Sequence, residues 1–218
     1  MKVEIWSDIM CPFCYIGKRH YEAAVKQFPQ AEELKLEWHS YQLDPTIPKQ
    51  MDEDLNVYQY LAQRKGVTEQ EARKMHDGVM AMANAAGLDY NFDIAVVANS
   101  FDAHRMIQMA KSKGLGDEAE ERLFRAYFAE GKNFADHEVL MELGKEIGLT
   151  EKDIQESLTN DEYAYKVNQD IQEAAAIGVR GVPFFVFNRK YGVSGAQPVS
   201  VFLETIEKSF KEWKNEAL

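Results

Sequence analysis

Near its amino terminus the chain alternates hydrophobic and polar positions with a period of two, and a helical period soon follows. Val3 and Ile5 fall on one side of the first alternating run, which predicts a strand of about six residues. Apolar residues then recur at helical spacing over residues 21–28, and Pro29 ends that helix. A second alternating run covers residues 34–41. Strand, helix and strand together predict a βαβ unit.

Between residues 50 and 177 the pattern keeps the helical period and contains no convincing strand. Thr68 with Glu71, and Thr150 with Asp153, have the spacing of a capping box at the start of a helix. One of the predicted helices begins with the apolar residues Ile94, Val97, Ala98 and Phe101. The other apolar stripes end near glycines, namely Gly66, Gly87, Gly131, Gly148 and Gly178. We interpret residues 50–177 as a helical insertion.

The end of the chain returns to β structure. Residues 183–188 and 191–194 read as two strands joined by a turn at residues 188–190, which predicts a hairpin. Pro198 suits the first position of a closing helix whose apolar face runs to Trp213. The predicted order is β-α-β, a large helical insertion, then β-β-α, which is an α/β fold. Residues 1–49 and 178–218 would form its core.

Composition and charge narrow the range of partners. The chain has 218 residues, 45% of them hydrophobic, which is enough for a sizeable core. Its formal net charge of −11 argues against nucleic acid and anionic membrane surfaces as partners. The first residues lack the apolar segment of a signal peptide, and no stretch is long and apolar enough to cross a bilayer. We therefore expect a cytoplasmic protein.

The two cysteines of the chain lie three positions apart, in the sequence Cys11, Pro12, Phe13 and Cys14. They fall where the first strand pattern changes to a helix pattern. A thiol in the first turn of a helix faces unpaired backbone N–H groups and the positive end of the helix dipole, which favour thiolate over thiol. We predict that Cys11 is the nucleophile. Cys14, one turn later, can attack a mixed disulfide on Cys11 and release the partner.

Two simpler interpretations of this pair are weaker. A closed structural zinc site needs four nitrogen or sulfur ligands, and the sequence has no second CxxC and no close pair of histidines. We therefore predict no metal. A structural disulfide between Cys11 and Cys14 would close too short a loop to remove much chain entropy, and it would be unusual in a cytosolic chain.

The predicted order, with CPFC at the first helix and a Val182–Pro183 step entering the third strand, resembles the thioredoxin superfamily and within it the DsbA family. Four stretches look like the FrnE-type branch of cytosolic DsbA-like proteins: WSDIMCPFCYIGKR, YQLDP, AYFAEGKNFAD and GVRGVPFFVFNRKYGVSGAQP. The resemblance implies a thioredoxin core made from the two ends of the chain, with the insertion capping the active site. It also implies exchange of disulfides with protein or small-molecule thiols.

The resemblance implies a role for the residues around the cysteines as well. The Val182–Pro183 bond would be cis and would pack against the CPFC motif, with Val182 offering its backbone to a bound peptide or thiol. Pro12 and Phe13 are further candidates for substrate contact. They carry no charge, so the motif lacks the imidazole that strongly oxidising DsbA proteins place there. We expect a less oxidising couple, which rests as the dithiol in a reducing cytosol.

Ionisable residues around the motif offer no dedicated proton acceptor in the sequence. Thioredoxins often place a buried carboxylate on the strand that feeds the motif, where this chain has Ile5 and Trp6. We expect the nearby charged or titratable side chains to be solvated, namely Asp8, Lys18, Arg19 and His20. The remaining histidines are expected at the surface or as satisfied core residues, namely His39, His76, His104 and His137.

Two other functions stay open. Kappa-class glutathione transferases and 2-hydroxychromene-2-carboxylate isomerases share the core and the insertion, but they typically carry serine at the nucleophile position and an acidic residue after a late glycine. Here both cysteines are present, and Gly195 is followed by Ala196 and Gln197. The third possibility is a peptide-binding or chaperone module with incidental thiols.

The expected partners follow from these alternatives. We predict no tightly bound cofactor, while glutathione remains open as a redox partner, since Gln197 lies at a helix start suited to a carboxylate. The oligomeric state stays open, and a homodimer is one option.

Overall fold

The computed structural model describes residues 1–49 and 55–216. Within them, four strands form one sheet, and helices surround it. The strands are β1 (Lys2–Ser7), β2 (Lys35–Ser40), β3 (Phe184–Phe187) and β4 (Tyr191–Ser194). The α-helices are α1 (Pro12–Val25), α2 (Val57–Lys65), α3 (Glu69–Ala85), α4 (Phe101–Ser112), α5 (Gly116–Phe128), α6 (His137–Glu146), α7 (Glu151–Thr159), α8 (Asp161–Ala176) and α9 (Val199–Glu216).

The sheet brings the two ends of the chain together. Its order is β2-β1-β3-β4, with β1 parallel to β2 and antiparallel to β3. Ile5 at the centre of β1 pairs with Trp38 on β2 and with Phe185 on β3. The observed order of elements is the predicted one, so the predicted α/β thioredoxin-like fold is confirmed.

The two faces of the sheet are covered by different helices. Tyr21 on α1 and Phe202 on α9 pack against Phe185, with ring centroids 5.8 Å and 4.6 Å away. On the opposite face, Trp6 and Val186 form a buried cluster with Ala174 on α8. Alternation along β1 and β3 therefore gives each face its own core, and the helices enclose the sheet on both sides.

Helices α2 to α8 correspond to the predicted insertion, although residues 50–54 at its beginning lie outside the described part of the chain. Both predicted capping boxes are confirmed, at Thr68 with Glu71 and at Thr150 with Asp153. No described helix is both long and apolar enough to cross a membrane.

The prediction that a helix begins at Ile94 is wrong, because α4 begins only at Phe101. Residues 94–100 are irregular, with a single bridge from Val96 to Asn56. The Asn99 side chain accepts a hydrogen bond from the backbone N–H of Phe101 at 2.9 Å. It also donates to a backbone carbonyl in the loop after β2 at 2.6 Å. These bonds hold the segment in a non-helical conformation just before the helix starts.

The predicted hairpin at the end of the chain is confirmed. Asn188 and Arg189 in its turn have positive φ angles of 49° and 56°, the conformation that a tight two-strand connection requires. Helix α9 begins at Val199, so Pro198 precedes the helix instead of opening it.

Candidate active site

The CPFC motif lies where β1 delivers the chain to the start of α1. Cys11 is the N-cap residue of α1, with extended backbone angles, and Pro12 opens the helix. The N–H of Cys11 donates to the carbonyl of Asp8 at 2.9 Å, and the N–H of Cys14 donates to the carbonyl of Cys11 at 3.0 Å. Both cysteines are free thiols and both are buried. Pro12 costs no hydrogen bond here, because the first turn of a helix has no backbone acceptor for its N–H.

The loop before β3 meets the motif directly. The thiol of Cys11 donates a hydrogen bond to the carbonyl oxygen of Val182 at 3.2 Å. The Val182–Pro183 peptide bond is cis, as the resemblance implied. Pro183 is buried, and its own carbonyl accepts the N–H of Gly195 at 2.8 Å. The structure thus brings together the candidate residues Cys11, Val182 and Pro183.

A glycine on α1 allows this close approach. A Cβ atom at Gly17 would lie 3.0 Å from Cγ of Pro183 and 3.4 Å from the ring of Phe185. A larger residue at this position would therefore crowd the proline loop, which would have to shift by a few tenths of an ångström. Phe13, by contrast, points outward and is 37% exposed, whereas Pro12 is half-buried. Phe13 is thus the large apolar side chain that the motif presents to solvent.

Cys14 lies deeper than the rest of the motif, at 1% exposure. Burial raises the pKa of its thiol well above the ordinary value, and the neighbouring Cys11 raises it further. The backbone of Asp8 and the side chain of Ser7 partly offset this rise in pKa. A negative charge on Cys11 would therefore make Cys14 harder to ionise.

Tyr90, in the segment between α3 and α4, covers the motif from the insertion. Its hydroxyl donates to the carbonyl of Pro12 at 2.8 Å, and its ring stacks on Phe128 at 4.4 Å. Cys11, next to Pro12 in the chain, is only 3% exposed. The sequence analysis missed Tyr90, because the residue lies outside any helix or strand and no spacing links it to the motif.

Two of the side chains expected to be solvated are in fact buried, namely Asp8 at 1% and Lys18 at 2% exposure. Asp8 accepts the backbone N–H of Leu43 at 2.7 Å, and Lys18 pairs with Glu121 at 3.0 Å. Partners contributed by distant parts of the chain thus allow burial of these charges. Arg19 and His20 are partly exposed, nearer to the prediction.

The histidines follow the prediction with one exception. His76 bonds the carbonyl of Ala72 at 2.9 Å, and Nδ1 of His39 lies 2.7 Å from Asp170, so each is a core residue with a partner. Nε2 of His39 has no hydrogen-bond partner within the described residues. His137 is exposed. His104 is fully buried, yet neither of its ring nitrogens has a hydrogen-bond partner within the described residues.

Two groups of side chains in the described part of the chain have the spacing to hold a metal ion, and neither includes a cysteine. His39 gathers with Glu4 and Glu37 in one such group and with Asp170 and Glu173 in another. Cationic side chains already pair with these carboxylates, from Lys2 at 2.8 Å to Glu4 and Glu37 and from Arg189 at 2.5 Å to Glu4 and Glu173. These groups are therefore balanced as ion pairs on the α8 face of the sheet.

The fold and this arrangement agree with comparison to known proteins. The family described as DSBA-like thioredoxin domain matches residues 2–207. The chain belongs to this family. The DsbA-like chain is 37% identical to the probable DsbA oxidoreductase SCO1869 from Streptomyces coelicolor. The similarity covers 97% of this chain and 91% of that chain with a TM-score of 0.91.

Two more distant structures resemble the DsbA-like chain in fold. One is the cytosolic disulfide reductase DsbM from Pseudomonas aeruginosa with GSH, at 18% identity and a TM-score of 0.68, covering 97% of this chain and 100% of that chain. The other is a 2-hydroxychromene-2-carboxylate isomerase, at 12% identity and a TM-score of 0.70, covering both chains completely. The neighbours of the DsbA-like fold thus include disulfide oxidoreductases and an isomerase.

Proposed function

We propose that this DsbA-like protein is a dithiol–disulfide oxidoreductase that exchanges disulfides with protein or small-molecule thiols through Cys11 and Cys14. The observation that carries the proposal is the contact of the Cys11 thiol with the Val182 carbonyl beside Pro183, with Cys14 buried one turn behind. This arrangement puts a nucleophile, a resolving thiol and a strand-like backbone surface at one point.

The proposed reaction has two steps. The Cys11 thiolate attacks a substrate disulfide, the substrate S–S bond breaks, and its electron pair leaves with the first substrate thiolate. Cys14 then loses its proton and attacks Sγ of Cys11. The Cys11–substrate bond breaks, and the second substrate thiolate leaves and takes up the proton. The substrate gains two electrons, and the cysteine pair becomes a disulfide.

Access to Cys11 supports small thiols among the substrates. Cys11 is only 3% exposed and Tyr90 bonds the neighbouring Pro12, so a tripeptide disulfide should reach the sulfur more easily than a folded protein does. The structure of DsbM with GSH adds support for glutathione as the redox partner. A cytosolic setting and membership of the FrnE-type branch are parts of the same proposal, and both favour a resting dithiol.

The isomerase alternative is consistent with the fold, but the residues of the site support it less. Gly195 is followed by Ala196 and Gln197, so the acidic residue expected after this glycine in the isomerases is missing. The second cysteine, Cys14, also has no use in an isomerase that needs one activated group.

A trapping experiment tests the proposal. Reduced wild type, Cys14→Ser and Cys11→Ser are mixed with oxidised glutathione, quenched with acid and measured by mass spectrometry. We expect the Cys14→Ser variant to accumulate one glutathione on Cys11, the wild type to pass on to an internal disulfide, and the Cys11→Ser variant to react slowly. The oxidoreductase proposal would be overturned if the wild type formed no internal disulfide and the Cys14→Ser variant formed no glutathione adduct. That result would favour the isomerase or a binding module.

A further inference from the structure

The two segments that meet at Cys11 carry no acidic residue, although the chain as a whole is acidic. Residues 9–21 contain the CPFC motif and the first turns of α1, and residues 174–203 run from the end of α8 through the Val182 loop to the start of α9. Neither range holds an aspartate or a glutamate, whereas the whole chain has 36. No carboxylate of either segment can therefore repel an anion at Cys11.

Most cations of these segments already pair with carboxylates from elsewhere in the chain. Lys18 lies 3.0 Å from Glu121, and Arg189 lies 2.5 Å from Glu4. Arg180 differs, because it is exposed and has no ion-pair or hydrogen-bond partner in residues 1–49 and 55–216. Each remaining arginine of the chain forms at least one ion pair, namely Arg19, Arg64, Arg73, Arg105, Arg122 and Arg125. Arg180 therefore leaves its guanidinium open to a ligand.

The position of Arg180 in the chain places it beside the backbone that contacts Cys11. The N–H of Val179 donates to the carbonyl of Ala174 at 2.8 Å, which anchors the loop just before Arg180. Two residues later, the carbonyl of Val182 accepts the Cys11 thiol at 3.2 Å. Consecutive Cα atoms are about 3.8 Å apart, so the Cα atom of Arg180 lies within about 7.6 Å of that of Val182.

The space between Arg180 and Val182 is open. Gly181 separates them, and a Cβ atom at Gly181 would meet nothing within 4 Å. An extended substrate that pairs with the Val182 backbone through its reacting cysteine places its next residue beside Gly181, since paired strands align residue by residue. A charged group on that residue lies within reach of the long arginine side chain, because diagonal neighbours on paired strands contact each other through long side chains.

We propose that Arg180 is a specificity-determining residue whose guanidinium binds a carboxylate next to the reacting cysteine of the substrate, so that the site selects anionic disulfides. The inference rests on the proposed dithiol–disulfide exchange and deepens it by naming a class of substrate. Glutathione has this chemistry, because its glycine carboxylate follows the cysteine. A peptide with an acidic residue beside its cysteine has the same chemistry.

Charge and geometry both suit an arginine to this role. The net charge of −11 repels an anionic disulfide at long range. A cation at the site opposes this repulsion within a Debye length, which is about 8 Å at physiological ionic strength. The planar guanidinium also binds a carboxylate through two parallel hydrogen bonds, which an ammonium group cannot do. Asp89, which precedes Tyr90 in the chain, is exposed, so solvent screens its negative charge.

A comparison of two disulfides tests the inference. Reduced protein reacts with oxidised glutathione and, separately, with the analogue in which both glycine carboxylates are amides. Samples are quenched with acid, and mass spectrometry gives the second-order rate constant for oxidation of the cysteine pair by each reagent. The measured quantity is the ratio of the two rate constants, in which any general change in the reactivity of Cys11 cancels. Near-ultraviolet circular dichroism confirms that each variant is folded.

We expect Arg180→Gln to lower this ratio about three- to tenfold at low ionic strength, because the variant loses a charge-assisted hydrogen bond at a partly exposed site. Arg180→Lys keeps the charge but not the planar fork, so it should retain part of the preference for oxidised glutathione. Added salt should bring the ratios of wild type and Arg180→Gln closer together, because it screens the charge of Arg180.

Lys152→Gln is the matched control. Lys152 on α7 is exposed and, like Arg180, has no ion-pair partner in the part of the chain that the structure describes, so this variant changes the net charge equally. We expect its ratio to equal that of the wild type. Two disulfide-linked peptides, with glutamate or glutamine directly after the cysteine, extend the comparison to protein-like substrates.

The outcomes distinguish the inference from the proposed function. If no disulfide of either pair oxidises the wild type, the oxidoreductase proposal fails and the inference fails with it. If the wild type is oxidised but Arg180→Gln leaves the ratios of both pairs unchanged, the exchange stands and the inference is overturned. A preference for the charged member of either pair that depends on Arg180 supports the inference, and the pair that shows it identifies the source of the carboxylate.

Discussion

The hydroxyl of Tyr90 bonds the carbonyl of Pro12, between the two cysteines, across 78 positions of sequence. This contact joins the segment between α3 and α4 to the motif, next to Cys11 in the chain. The ring of Tyr90 is held in place by stacking on Phe128. We therefore expect Tyr90 to limit the size of the reagent that can reach Cys11.

Truncation of Tyr90 should open the site. We expect Tyr90→Ala to increase the rate at which a bulky maleimide modifies Cys11 severalfold, with a smaller increase for iodoacetamide, because the small reagent needs less space. Tyr165→Ala is the control, since Tyr165 is 63% exposed and remote from the motif in sequence. Equal acceleration of both reagents would mean that Tyr90 does not select by size.

Two glycines in helices give a matched test of the contact between α1 and the proline loop. At Gly78, in the middle of α3, a Cβ atom would meet nothing within 4 Å. Gly78→Ala should therefore stabilise the protein by about 0.5–1 kcal/mol through the unfolded chain and helix propensity. Gly17→Ala should lose this gain and become destabilising, because Pro183 and Phe185 stand in the way.

Urea unfolding of both variants measures the difference, and the oxidised glutathione assay measures its effect on the site. We expect Gly17→Ala alone to slow the exchange reaction, because a displaced Pro183 moves Val182 away from Cys11. If the two alanine variants were equally stabilised, the close approach of α1 to Pro183 would have no energetic importance.

The pKa of His39 predicts how the free energy of unfolding depends on pH. Its Nδ1 lies 2.7 Å from Asp170 and its Nε2 lies 3.3 Å from Glu4. Burial disfavours the charged ring, but Asp170 and Glu4 outweigh burial and raise the pKa of His39 above its ordinary value of 6.5. The stabilisation from this raised pKa is complete below pH 6.5. It is lost as the pH rises through the higher pKa of the folded state.

The pKa of Asp170 determines where the same pair stops stabilising the fold at acidic pH. Burial raises the pKa of this carboxyl, yet His39 outweighs burial and lowers it below 3.8. Its contribution is present above pH 3.8 and lost as the pH falls through the lowered value. We therefore expect the advantage of wild type over His39→Gln in free energy of unfolding to shrink above about pH 6.5. Urea titrations across this range would show it, and a constant difference would contradict the pairing.

Much of the fold could be predicted because its signals are local. The capping box at Thr68 and the turn at Asn188 fix the start of a helix and the register of a hairpin within a few residues. The segment around Ile94 was predicted wrongly, because its apolar residues have helical spacing although the chain there is irregular and Ile94 itself is 43% exposed. A bond from Asn99 to a distant loop decides that conformation.

The residues of the candidate site likewise fall into those that the sequence could predict and those that it could not. Cys11 and Cys14 could be predicted from their spacing, and Val182 and Pro183 were predicted from the family resemblance. The burial of Asp8 and Lys18 depends on partners far away in the sequence, so no local pattern indicated it.

The central claim is that Cys11 and Cys14 form a reversible redox couple. The most direct test is the redox equilibrium of the wild type against glutathione, read by trapping free thiols over a range of reduced to oxidised ratios. We predict a two-electron couple at about −270 to −200 mV, within the range of thioredoxin and glutaredoxins, because the residues between the cysteines are uncharged. A cysteine pair that shows no reversible equilibrium with glutathione would contradict the account.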